Sequence, residues 1–170
     1  MVTIDLHTHQ QKTGAFVQIL NQFAQDLPLP GDDHFYSAGI HPWHIGTVDQ
    51  DKCLKLLEEA AHRRNLLAIG ECGLDKAIDT DFAVQEDCFR KQIGIAEKYN
   101  KPLIIHCVRS YNELIRIKLE TKSTVPWIIH GFQAKLPTLF QLIRHGFYFS
   151  VGEKLLLNHL KSEIISTIPT

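Results

Sequence analysis

Two kinds of segment alternate along this chain when it is read for hydrophobic and polar positions. Short, mainly apolar runs occur at Val2–Leu6, Phe35–Ile40, Leu66–Ile69, Pro102–Ile105, Val125–Ile129 and Phe147–Val151. Unbroken runs of this length suit strands of a parallel sheet buried on both faces. Between them lie segments with apolar residues at helical spacing. Asp49–Asn65 carries Cys53, Leu56, Leu57, Ala60 and Ala61 in that pattern. Thr80–Asn100 places Phe82, Val84, Phe89, Ile93 and Ala96 among Gln, Glu, Lys and Arg. Ser110–Thr121, Leu136–His145 and Lys154–Ile165 also read as helices. Ala15–Leu20 is open between strand and helix, and Leu27–Asp33 is a loop by its Pro and Gly content. The alternation predicts an α/β fold around a parallel sheet.

Chemistry enters at the ends of the apolar runs. IDLHTH ends in His7 and His9, and SAGIHPW in His41. LAIGECGLD supplies Glu71 and Asp75, PLIIHCVR supplies His106 and Arg109, and WIIHGF supplies His130. From Glu71 the next two such points lie 35 and 24 residues on, about the size of one strand–helix unit. In a parallel barrel or open sheet the C-terminal strand ends share one face, where such folds place their chemistry. Residues distant in sequence are therefore expected to meet there.

The residue types point to metal. His7 and His9 are two apart on a strand, so both side chains point the same way. Two imidazoles on one face suit a divalent ion. Glu71 can bridge two ions through its two oxygens, and His106 and His130 could complete the second. Bridged ions roughly 3.5–4 Å apart can activate water and neutralise a phosphoryl or carbonyl oxygen. Mixed imidazole and carboxylate ligands fit zinc, manganese or nickel better than calcium. His34, His44, His62, His145 and His159 are read as structural or surface residues. Cys107, on the opposite strand face from His106, and Cys72 are read as core. Trp43 and Trp127 could both be core, although Trp43 follows a predicted site loop and could meet substrate.

Composition narrows the class without changing it. The 170 residues carry a net charge of −1, so no global basic field holds a polyanion. The length suits a single domain over residues 1–170. The four cysteines form no Cys-x-x-Cys pair, and a reducing cytoplasm is the simpler reading. The N-terminus lacks the pattern of a secretory leader, and no apolar stretch reaches membrane-spanning length.

At these residues the sequence resembles the TatD family of metal-dependent hydrolases, within the amidohydrolase-like barrels. The matching motifs are Asp5–His9, Ala38–Trp43, Ile69–Asp75, Pro102–Ser110 and Ile128–Phe132. The resemblance implies a TIM-type (β/α) barrel with two divalent ions, zinc, manganese, nickel or magnesium. It also implies phosphodiester hydrolysis, with DNA or a small phosphodiester as substrate. By motif, His7 and His9 would hold one metal, His106 and His130 the other, and Glu71 would bridge. His41 and Arg109 would lie near the scissile phosphate, and Asp75 would orient a ligand or a loop.

Two departures qualify the resemblance. A strand at Ala15–Leu20 would leave no room for a normal first helix, so the barrel is expected to be irregular near its N-terminus. The family also has a late strand ending in Glu-Thr-Asp, whose Asp is a metal ligand and the expected general base. This chain ends at Ser166–Thr170, about where that strand should begin. A barrel lacking its eighth strand is therefore expected, either a fragment of a longer hydrolase, which is favoured, or a shortened relative. Its open edge could pair with a second copy. Low activity is expected of this form, and a metal-binding protein without catalysis is the competing class. A histidinol-phosphatase-like phosphoesterase, with Asp33–His34 as an echo of a further Asp-His pair, fits the motifs poorly. An amide or lactone substrate stays open, because the same ions polarise a carbonyl.

Overall fold

The computed structural model describes residues 4–9, 17–27, 34–152 and 162–168. Seven strands form one parallel sheet in strict sequence order. They are β1 (Ile4–Thr8), β2 (Val17–Phe23), β3 (Phe35–Gly39), β4 (Leu66–Asp75), β5 (Leu103–Val108), β6 (Trp127–Ile129) and β7 (Phe147–Phe149). Helices α1 (Gln50–Ala61), α2 (Phe82–Tyr99), α3 (Tyr111–Thr121) and α4 (Leu136–Arg144) connect the strands from β3 onward. A further helix, α5, covers Ser162–Thr167. Sequential order with every neighbour parallel is the winding of a TIM-type barrel. The curl of the sheet is visible in the rings of His7 and His130. They lie at the ends of β1 and β6, five strand positions apart, which is about 24 Å in a flat sheet. Their ring centroids are 3.9 Å apart. The sheet therefore bends round until its first and sixth strands face each other.

The helical readings agree with the structure to within a few residues at each end. The ambiguous run at Ala15–Leu20 resolves as a strand: β2 begins at Val17 and pairs directly with β1. β1 and β2 are parallel neighbours separated by only eight residues, fewer than a strand–helix–strand crossover ordinarily uses, which is the expected irregularity. Most of the Leu27–Asp33 loop and most of the helix read at Lys154–Ile165 lie outside the described residues. Among those described, no helix is long and apolar enough to cross a membrane.

One strand is longer than its apolar run. The segment after Ile69 reads as a loop because of its two glycines and charged residues, yet β4 continues to Asp75. The glycines are there for close approach. A Cβ on Gly70 would lie 2.2 Å from the carbonyl oxygen of Ile104, and one on Gly73 would lie 2.1 Å from that of His106. Both also have positive φ, +146° and +140°, which side-chain-bearing residues rarely adopt.

Register shifts fall on the strands that carry the candidate ligands. On β4, Ile69 pairs with Leu103 and Cys72 with Ile105, so three steps on β4 match two on β5. The extra residue lies in the segment containing Glu71. On β1, Asp5 pairs with Gln18 and Thr8 with Leu20, again one extra residue, in the segment containing His7. Such bulges bend a strand and re-aim its side chains.

The core lies between sheet and helices. Phe89 of α2 packs edge-on against Trp127 of β6, with ring centroids 5.4 Å apart, and both are fully buried. Glu97, near the end of α2, ties down the loop that leads into β6. Its carboxylate accepts from the Thr124 and Val125 amides at 2.8 and 3.1 Å and from the Ser123 and Thr124 hydroxyls. Burial pushes this carboxyl up, but the bonds from Ser123, Val125 and Thr124 outweigh that and hold it below the usual carboxylate range. A pKa lowered on folding gives stability above the unfolded value, lost as pH falls through the folded one. Glu97→Gln should therefore cost about 1–3 kcal/mol at pH 7, with the deficit shrinking below about pH 4. Urea unfolding at several pH values checks this, and a pH-independent deficit would contradict it.

Candidate metal centre

The strand ends converge on one cavity of about 380 Å³, lined among others by His9, His41, Glu71, His106 and His130. Glu71 lies at its centre and is 5% exposed. Its two oxygens face different strands. Oε2 is 3.2 Å from His7 Nε2. Oε1 is 3.2 Å from His106 Nδ1 and 3.7 Å from His41 Nε2. Burial of the carboxyl pushes its pKa up, but bonds from His106, His41 and His7 outweigh this and hold it well below the usual range.

Two groups of donors share that carboxylate. His7, His9 and Glu71 have ligand atoms within 4.8 Å of one another, and so do His41, Glu71 and His106. His7 Nε2 and His9 Nε2 are 3.2 Å apart. Tetrahedral ligands about 2.0–2.1 Å from a zinc ion would be roughly 3.3–3.4 Å apart, so this spacing suits a shared ion. By the motifs His106 and His130 would share an ion; in the structure His41 lies beside His106, while His130 stacks on His7 and is in neither three-residue group. His130 is held neutral: burial, then the neighbouring His7, lower its pKa to about 4. Its buried Nδ1 has no hydrogen-bond partner among the described residues, nor has that of His7. Imidazoles gathered round a buried carboxylate are the donor set of a divalent cation, so these residues fit the group.

Asp75 orients the second group. Its Oδ2 is 2.8 Å from His106 Nε2 and accepts from Trp43 Nε1 at 2.9 Å. His106 thus lies between two carboxylates, Glu71 on one ring nitrogen and Asp75 on the other. Arg109 is exposed with φ of +55° and does not line the cavity.

Several residues here carry no signal in the apolar pattern. Asn21 of β2 accepts the Glu71 amide through Oδ1 at 2.9 Å and so anchors the bulge. Gln85 and Gln92 lie seven apart on the buried face of α2. Each makes a reciprocal pair of bonds with one residue's main chain, Gln85 with Asp75 and Gln92 with Ile40. They fasten one helix to the strand ends that hold Asp75 and His41. His44, read as structural, lines the cavity and contacts Gln25 and Phe23. Cys107, read as core, is partly buried against it and also lines the cavity. Buried Gln and Asn on otherwise apolar faces were the available sign of these anchors.

The family model for TatD-related DNases matches residues 21–170. The chain belongs to the TatD family. It is 30% identical over 142 residues to the uncharacterized metal-dependent hydrolase YabD of Bacillus subtilis, covering 81% of this chain and 55% of that protein. It is 30% identical over 141 residues to the 3'-5' ssDNA/RNA exonuclease TatD of Escherichia coli, covering 77% of this chain and 51% of that one. The chain spans about half the length of these curated relatives. In fold it resembles the crystal structure of YjjV, a TatD homologue from Escherichia coli. The TM-score is 0.76 at 22% identity, covering 90% of this chain and 63% of that one.

The anchoring of Glu71 is directly testable. Asn21→Leu leaves the buried Glu71 amide without an acceptor, at a cost of about 1–3 kcal/mol. Chemical denaturation should show a lower midpoint with an unchanged slope. An unchanged midpoint would show that Asn21 does not hold the bulge.

Proposed function

We propose that this chain carries a metal-dependent hydrolase site for phosphodiester bonds, with DNA as the substrate class. The observation that carries the reading is the division of Glu71 between its two oxygens, each facing a separate imidazole group. His7, His9 and Glu71 Oε2 would hold one divalent ion; Glu71 Oε1, His41 and His106 would hold a second. The relative from Escherichia coli named as an ssDNA/RNA exonuclease supports the choice of bond. A cytoplasmic setting is part of the proposal and is supported by four free cysteines.

Bound ions would supply an activated water and charge neutralisation at phosphorus. The chain's own residues do the positioning. Glu71 fixes the separation of the two donor groups, and Asp75 holds the His106 ring in one orientation. His130, kept neutral, does not repel cations from the cavity. Among the described lining residues Glu71 is the only carboxylate, and the imidazoles already engage it. No unengaged carboxylate is therefore among the described lining residues to act as general base, and turnover by residues 1–170 should be slow.

Equilibrium dialysis against manganese, paired with a single-stranded oligonucleotide assay, tests the proposal. The chain should retain two ions and release nucleotides slowly, only with metal present. Glu71→Gln should weaken metal retention by about a hundredfold or more and abolish release. Unchanged metal retention in that variant, or hydrolysis that survives a chelator, would overturn the reading.

A further inference from the structure

Trp43 is out of place by burial and in place by hydrogen bonding. It is 60% exposed, whereas the other tryptophan, Trp127, is fully buried. Yet its indole is fixed at several points. Its Nε1 donates to Asp75 Oδ2 at 2.9 Å, and Asp75 is itself 2% exposed. Its backbone amide donates to His41 Nδ1 at 3.2 Å within a one-turn 3₁₀ helix whose first residue is Pro42. The ring meets His41 and His106 in T-shaped contacts, at 4.9 and 5.9 Å between centroids. A large aromatic surface is thus held rigid and left open to solvent beside the second donor group.

The same cavity is lined by imidazoles and Glu71 and by the rings of Phe23 and Trp43. A phosphodiester held by the donor groups would carry its planar base beside such rings. Bases of single strands can stack on exposed aromatic rings, whereas those of a duplex are already stacked.

We propose that Trp43 is the stacking platform for a nucleobase next to the scissile phosphodiester, making it a specificity-determining residue for single-stranded nucleic acid. This rests on the reading of the site as a phosphodiesterase. Asp75 then has two tasks: one carboxylate oxygen orients both the platform and His106, so base position and the second donor group are coupled. Hydrogen bonding to the base is no part of this recognition, so the platform accepts any base and rejects a strand lacking one.

The test uses the full chain with manganese, a hydrolysis-resistant phosphorothioate trinucleotide, and the same trinucleotide without bases. Trp43→Phe and Trp43→Leu both remove the N–H to Asp75, and only Phe keeps a ring. Binding is read by calorimetry, and metal retention is measured on the same samples. The base-containing trinucleotide should bind about tenfold more weakly to the Leu variant than to wild type. The Phe variant should stay within about threefold, and the abasic strand should not distinguish Phe from Leu. Equal affinities for the Phe and Leu variants, or no preference for bases in the wild type, would overturn the proposal. If manganese is retained in either case, the metal-site reading stands. If manganese is not retained but the Phe–Leu difference appears, the platform stands and the metal reading falls.

Discussion

A buried carboxylate surrounded by imidazoles organises this structure. Glu71 is almost fully removed from water, and an ionised carboxylate in such a place is costly unless partners compensate it. His7, His41 and His106 approach it from three other strands. These imidazoles can donate hydrogen bonds to it. A buried carboxylate with imidazoles on both oxygens is a donor set suited to a cation. The fold in turn has to deliver the four side chains to one point, and much of its local irregularity serves that delivery. The bulges on β1 and β4 re-aim His7 and Glu71, and the glycines at 70 and 73 let β4 lie against β5 while doing so.

Support for the cluster comes from polar groups buried behind it. Asn21 fixes the bulge on β4, and two glutamines on one face of α2 fasten the chain at Ile40 and Asp75. Each makes bonds that would otherwise be lost where regular strand pairing ends. These residues lie on elements whose remaining burial is apolar, so the same helix that seals the core also sets the site. Packing and function are coupled through α2. A change on its buried face should therefore be felt at His41 and Asp75 before it is felt in the sheet.

Much of this was legible from sequence because it follows from periodicity. Apolar runs ending in His7, Glu71, His106 and His130 locate strand ends on one face whatever the details of packing. The extent of β4 was not legible, because glycine and charge within GECGLD are ordinary loop signals, and only the partner strand makes them necessary. Which histidine stands beside His106 was hidden for a similar reason. Whether His41 or His130 stands beside His106 depends on how tightly the sheet curls, a property of the whole barrel. His44 and the anchors Asn21, Gln85 and Gln92 are single polar residues whose roles exist only once register is set.

The central claim is that Glu71 joins two cation sites, one on each oxygen. Crystals of the chain grown with manganese, with anomalous diffraction recorded near the metal edge, test it most directly. The account predicts two anomalous peaks, one within bonding distance of Glu71 Oε2 and His7, the other of Glu71 Oε1 and His106. A single peak, or peaks at which Glu71 is not a ligand, would contradict it.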